Sequence, residues 1–286
     1  MPPETSLPDF HDKRVFLASP DAHAWLTKLA AHDDARVPFT GTLTDPDTVH
    51  HLVRVHRLRQ GESLVWVCTE TAAHAPTRAF RVSTLETTKH HVTVQLLYEL
   101  PPQAPSIPPV TLWAAVIQEQ RWKLLLEKAC ELGVTEIQPL LTHRTQHASQ
   151  KDHKQSRWEA ILHHAAEQSE GMFIPKLHPP ISLNDALTAY GTQNTPLTSD
   201  YRMLCLERGA SRCSIGEWLT QHTLTQNTWT QSRYTIAIGP EGGWHPDEVK
   251  RLTTAGFDAV SLTTRVLRCE TAAIMALSAL HYHYHR

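Results

Sequence analysis

An apolar run with β character, Tyr234 to Ile238, passes directly into Gly239-Pro240-Glu241-Gly242-Gly243, so three of the eleven glycines fall within five residues. A buried strand that ends this way must turn at once or bring bare main chain against a ligand. About twenty positions on, a second short strand, Ala259 to Leu262, ends in Thr263 to Arg268, a loop carrying two arginines, and a helix is expected from Cys269. Two strand ends, each followed by a special loop, are where parallel α/β sheets bind ligands.

The flanking pattern agrees with that reading. Residues 101–109 hold five prolines and read as an extended linker between two domains, 1–100 and 110–286. After the linker, β and α periods alternate: strand Val110 to Ile117, helix Gln120 to Leu132, strand Thr135 to Leu141, helix Lys154 to Ser169, and strands at Met203 to Leu206, Tyr234 to Ile238 and Ala259 to Leu262. This is the signature of a parallel sheet. Trp122, Leu125, Leu126, Ala129 and Cys130 form one apolar stripe on the first helix. The last helix, Cys269 to Leu280, is apolar almost all round and is expected to be buried, either in the fold or against a second copy. His281 to His285 should be its frayed end.

Before the linker, runs at Arg14 to Leu17, Ser63 to Cys68, Ala79 to Val82 and His91 to Tyr98 suit a small barrel or compact sheet. A helix from Val49 to Arg59 is expected among them, with Leu52, Val55 and Leu58 on one side and Arg54 and Arg57 on another.

Composition excludes several classes. Net charge is −2 with histidine neutral, so any polyanion must be met by local patches. No apolar stretch is long enough to cross a bilayer, the start lacks a signal-peptide pattern, and a cytoplasmic protein is expected. The five cysteines are odd in number and scattered, which argues against disulfides and thiolate zinc sites. Of the twenty histidines, His143 and His147 lie four apart, but no carboxylate sits at metal-motif spacing and no metal is expected.

The glycine turn is a poor phosphate loop. It lacks both the Lys-Ser/Thr pair of a P-loop and the Gly-x-Gly-x-x-Gly of a dinucleotide site, and Glu241 would repel phosphate. Taken alone it is either an ordinary tight turn or a cradle for a neutral or cationic ligand.

Wider stretches resemble one family, the trefoil-knotted SPOUT methyltransferases, and among them the bacterial ribosomal RNA small-subunit methyltransferase E family. The similar residues are Arg14-Val15-Phe16, His50 to Val55 with Gly61-Glu62, Glu127 to Val134, Pro139-Leu140 with Arg144, Arg157-Trp158, Glu167-Gln168-Ser169 with Pro175, Ile238 to Gly243, and Ser261 to Ala273. The resemblance implies an α/β domain with a C-terminal deep trefoil knot, preceded by a PUA-like β-barrel. It also implies a homodimer formed through the knot and methylation of uridine N3 in the decoding region of 16S ribosomal RNA, within the small subunit, from S-adenosylmethionine. A SPOUT enzyme acting on transfer RNA ribose and a catalytically inactive assembly factor are the alternatives.

Carried onto this chain, the resemblance assigns the cofactor to Leu206, Ile238, Gly239, Pro240, Glu241, Gly242, Gly243, Leu262, Leu267 and Thr271, with Glu241 offsetting the sulfonium charge. Uridine N3 carries a proton, so the reaction needs a base or a cation beside O2 and O4. Arg268 and then Arg144 are the candidate cations, and Glu270, Glu167 and Glu241 compete as the base. RNA contacts are expected from Arg14, His51, Arg54, Arg57 and Gln168. Two departures stand out: Glu170-Gly171-Met172 follow the Glu-Gln-Ser motif where the family has an arginine, and His245 replaces the more usual serine cap before Pro246.

Overall fold

The computed structural model describes residues 14–17, 20–30, 38–68, 78–101, 107–145, 152–191, 199–207, 209, 211, 213–225 and 232–285. The chain divides into two compact units, one of residues 1–104 with 166–173 and the other of 105–165 with 174–286. Glu167-Gln168-Ser169, expected in the second domain, groups in space with the first unit.

The first unit comprises β1 (Arg14–Leu17), α1 (Pro20–Ala30), β2 (Thr40–Leu43), α2 (Pro46–His50), β3 (Ser63–Cys68), β4 (Arg78–Thr87) and β5 (Val92–Glu99). Its five-stranded sheet runs β1-β3-β4-β5-β2, parallel between β1 and β3 and antiparallel elsewhere. The core gathers Trp25, Trp66 and Phe80, with ring centroids 5.1 Å and 5.4 Å from Trp25 in edge-on contacts. Such pairs contribute about 0.5–1.5 kcal/mol each beyond their buried area.

The expected helix over Val49 to Arg59 is corrected here. The chain turns helical at Pro46, capped by Asp45, whose carboxylate accepts from Thr48 N at 2.9 Å. It then widens into a single π turn, His51–Val55, closed by His56 N donating to His51 O at 3.0 Å. The extra residue shifts the register. Val49 and Leu52 are buried, whereas Val55, expected on the same face, is 55% exposed. Arg57 then adopts φ 50°, a left-handed conformation that ends the helix.

In the second unit the order is β6 (Val110–Ala115), α3 (Glu119–Glu131), β7 (Glu136–Leu141), α4 (Asp152–Gln168), β8 (Lys176–Leu177), β9 (Ile181–Ser182), α5 (Leu183–Gly191), β10 (Ser199–Leu206), β11 (Cys213–Ser214), α6 (Ile215–Gln221), β12 (Ser232–Ile238), α7 (Pro246–Thr254), β13 (Asp258–Ser261) and α8 (Cys269–Tyr284). The final residues of α4 fall in the first unit. The sheet runs β11-β13-β10-β12-β6-β7-β8, with β9 also on β7, and every pairing is parallel. All six residues of β6 are buried, as a strand covered on both faces requires. The α3 stripe Trp122, Leu125, Leu126, Ala129 and Cys130 is buried as its spacing predicts.

The end of α8 is not frayed. Helix continues to Tyr284, whose hydroxyl lies 2.7 Å from that of Tyr234 and accepts from Leu224 N at 2.8 Å. His281 Nε2 meets Leu132 O at 2.7 Å, so polar anchors on three segments hold the last turn. No helix among the described residues is long and apolar enough to cross a membrane.

Candidate functional site

Because β12, β10 and β13 are parallel neighbours, their carboxyl ends open at one edge of the sheet. The loops leaving them surround a cavity of about 580 Å³, within the range of pockets that hold a cofactor-sized molecule. The end of β10 supplies Cys205, Leu206 and Glu207; β12 and its loop supply Ile238, Gly239, Pro240, Gly242, Gly243 and Trp244. From the segment after β13 come Leu262, Thr263, Arg265 and Leu267, and from the start of α8, Cys269 and Ala272. Arg144, after β7, and Pro246 and Val249, on α7, complete the wall.

The glycine turn has two separate requirements. At Gly239 a Cβ would sit 2.8 Å from Trp244 Nε1, so the indole can lie against the main chain only if the side chain is hydrogen. Gly243 takes φ 70° and donates to Pro240 O at 2.9 Å, closing the turn in a conformation other residues adopt only with strain. Trp244 is itself buried, and its indole N–H meets no acceptor among the described residues. Apolar walls, a bare-backbone turn and a buried spare donor are what a flat heteroaromatic ligand with polar edges needs.

Arg144 fastens the turn from the side. Its Nη1 donates to Gly242 O at 2.7 Å and to Trp244 O at 3.4 Å. The loop bearing Arg144 is fixed in turn by Glu248, a buried carboxylate that accepts from His143 N at 2.8 Å and from His245 N at 2.9 Å. The second contact is half of a working capping arrangement, since His245 Nδ1 accepts from Asp247 N at 3.3 Å. Histidine therefore fills the cap position that serine more usually holds.

Several expected site residues lie elsewhere. Glu241 does not line the cavity. Its Oε1 accepts from Gln118 N at 3.0 Å and lies 3.7 Å from Arg121 Nη1, capping the start of α3, and among the described residues the carboxylate on the cavity wall is Glu207. Thr271 is exposed; Cys269 and Ala272, three apart on the helix, face the cavity instead. Arg268 is the exposed N-cap residue of α8, outside the lining, while Arg265 from the same loop is inside it. Glu270 is buried at 5% exposure in the first turn of α8, and its Oε2 meets no donor among the described residues. Glu167 is buried in the first unit, with His51 Nε2 at 3.0 Å.

Sequence reasoning assigned no role to Trp244, Glu207 or Arg265, although each follows a strand end at the expected place. Cys205 and Cys269 are thiols that burial pushes up to about 12. Both stay protonated near neutrality, so the cavity holds no thiolate for covalent catalysis.

In the first unit, Arg14 is corrected as a surface contact. It is 9% exposed and its Nη1 lies 3.1 Å from Met172 Sδ. Arg54, Arg57 and Gln168 are exposed, and His51 is turned toward Glu167. Arg54 shares a surface recess with His50, Lys89 and His90, a basic group drawn from α2, the π turn and the hairpin between β4 and β5. His147 lies outside the described residues; His143 holds its ring 4.5 Å from that of His245, tilted by 35°.

Comparison with known proteins places this geometry in a family. Residues 104–281, more than half of the chain, match the model of an RNA methyltransferase domain. A ribosomal RNA small subunit methyltransferase E from Synechocystis is 31% identical over 254 residues, covering 89% of this chain and 77% of the relative. One from Mesomycoplasma hyopneumoniae is 33% identical over 174 residues, 59% of this chain and 67% of the relative. The crystal structure of a ribosomal RNA small subunit methyltransferase E from Neisseria gonorrhoeae bound to S-adenosyl methionine superposes with a TM-score of 0.73 at 25% identity, over 95% of this chain and 98% of that one. The chain belongs to the ribosomal RNA small subunit methyltransferase E family.

Proposed function

We propose that this protein transfers a methyl group from S-adenosylmethionine to N3 of a uridine in the decoding region of 16S ribosomal RNA. The observation that carries the reading is the cavity at the ends of β10, β12 and β13, with its glycine turn and the spare Trp244 indole donor. These residues suit the cofactor: Leu206, Ile238, Leu262 and Leu267 offer apolar surface for the adenine, and Arg144 and Arg265 offer positive charge for a carboxylate. Glu207 takes the place foreseen for Glu241 as the negative group facing a sulfonium. When bound, the cofactor supplies an electrophilic methyl on a positively charged sulfur. The C-terminal segment passing the glycine turn and the β13 loop is read as a trefoil knot, and the chain as a homodimer joined at that region.

Arg268 remains the candidate cation for the nucleobase, because it is exposed next to a loop whose other arginine lines the cavity. A guanidinium beside O2 and O4 stabilises the charge that develops as the N3 proton leaves for solvent and nitrogen becomes the nucleophile. Glu270, buried in the first turn of α8, stabilises the positive end of that helix and so holds Arg268 at its cap. Since N3 lies on the Watson-Crick edge, the uridine must be unpaired before it reacts. The recess formed by His50, Arg54, Lys89 and His90 supplies phosphate contacts in the first unit.

The test is to incubate the protein with labelled S-adenosylmethionine and unmodified small subunits or naked 16S RNA, and to identify the product by nucleoside mass spectrometry. N3-methyluridine is expected. A ribose-methylated nucleoside would assign the protein to the other chemistry, and absence of product on both substrates would mark an inactive binding protein.

A further inference from the structure

Two histidines and a glutamate meet within the first unit. His51 Nε2 lies 3.1 Å and 3.0 Å from the two carboxylate oxygens of Glu167, His56 Nε2 lies 3.1 Å from His51 Nε2, and His56 Nε2 lies 3.5 Å from Glu167 Oε2. The Glu167 side chain is 1% exposed, that of His56 12% and that of His51 31%, so the group sits under the surface with one side open.

The π turn is what makes this possible. Residues five apart in an α-helix point about 140° away from each other. The widened turn, closed by His56 N to His51 O, brings the two rings together instead, edge-on with centroids 4.7 Å apart. Single π turns are rare and recur at functional sites. Among the contacts of these three groups, one hydrogen on His51 Nε2 cannot be aimed at both Glu167 and His56, and 3.5 Å is long for a bond from His56 to the carboxylate. A cation answers all three atoms together. The edge between two ligands of tetrahedral zinc is about 3.3–3.4 Å for metal–nitrogen distances near 2.05 Å, and the three separations here, 3.0, 3.1 and 3.5 Å, bracket it.

We propose that His51, His56 and Glu167 form a binding site for a divalent transition-metal ion, of which Zn²⁺ is the natural occupant. Two neutral imidazoles and one carboxylate form a nitrogen and oxygen donor set suited to Zn²⁺ rather than to Mg²⁺ or Ca²⁺. The fourth position faces the open side, where water completes the tetrahedron. The ion would cross-link the π turn to the last turn of α4, both in the first unit, and it requires nothing of the methyl-transfer reading. Spacing along the chain does not reveal the site, because Glu167 lies 116 positions from His51.

The test uses the full-length protein without a histidine tag, stripped by a chelator. Zn²⁺ is titrated against a chromophoric competitor, and Co²⁺ is used as a spectroscopic substitute. One tight equivalent per chain is expected, weakened on the order of 100-fold in His56→Ala and in Glu167→Gln, with the intense visible bands of tetrahedral Co²⁺ in the wild type and not in His56→Ala. Affinity equal in wild type and both variants would mean that the other histidines bind the metal and would overturn the proposal. Weak, octahedral-type Co²⁺ absorption in the wild type would overturn it too, and this measurement decides the matter even if a variant fails to fold.

Discussion

Arg144 Nη1 donates to the carbonyl of Gly242 at 2.7 Å, tying the loop after β7 to the glycine turn after β12 across one wall of the cavity. Hydrogen bonds to charged groups are worth about 1.5–3 kcal/mol, and this one, open to solvent, belongs at the lower end. Arg144→Ala should therefore loosen the turn and weaken cofactor binding by up to about 10-fold, read by calorimetry. Arg144→Lys should restore only part of the loss, because the shorter lysine side chain does not carry a nitrogen out to the Nη1 position that meets both Gly242 O and Trp244 O.

Glu248 should be needed for that clamp although it does not line the cavity. Glu248→Gln keeps the shape but removes one acceptor from the pair serving His143 N and His245 N. A loss of about 1–2 kcal/mol in unfolding free energy is expected, with a smaller loss of cofactor affinity than in Arg144→Ala. Denaturant melts beside the titrations will separate the two effects.

The two arginines of the β13 loop should divide their roles. Arg265→Ala should raise the dissociation constant for S-adenosylmethionine, since Arg265 lines the cavity. Arg268→Ala should leave that constant within a few fold and cut methyl transfer at least about 100-fold, roughly 2.7 kcal/mol of transition-state stabilisation. Equal losses in binding and transfer for Arg268→Ala would remove it from the chemistry.

RNA affinity should depend on Arg54 and Lys89 through charge. Replacing both by Gln should lower the slope of log affinity against log salt by about one to two units. An unchanged slope would place the RNA on another surface.

Acid stability should carry the mark of Glu136, whose carboxyl the hydrogen bond from His178 at 2.7 Å holds below the usual carboxylate range. A lowered folded pKa stabilises above the unfolded value, about 4.3–4.5, and the stabilisation is lost as pH falls through the folded one. The melting-temperature advantage of wild type over Glu136→Gln should be full at pH 6 and shrink below about pH 4.5.

Much of the second unit was legible because its signals are local. Apolar runs ending in Gly239 or Thr263 fix where strands stop, and the α3 stripe fixes which face is buried. Orientation was less legible. Glu241 looks like a cavity carboxylate along the chain, but the turn closed by Gly243 sends it to Gln118 N, and no pattern in the sequence encodes that direction. The π turn was hidden for a similar reason: one added residue in a hydrogen-bonded ring leaves no compositional trace, yet it exposes Val55 and brings His56 onto His51. Arg14 read as a surface cation because its contact with Met172 joins residues 158 positions apart. The last turn of α8 read as frayed because Tyr234 and Leu224, its anchors, are also distant in sequence.

At Gly239 a single methyl group would occupy the space of the Trp244 indole and so disturb the cofactor cavity directly. Calorimetric titration of S-adenosylmethionine into wild type and Gly239→Ala, with thermal melts to show that both are folded, tests it. One site per wild-type chain and at least a tenfold weaker site in the variant are expected; a wild type that gives no binding heat at any temperature, or a folded variant that binds as tightly as wild type, would contradict it.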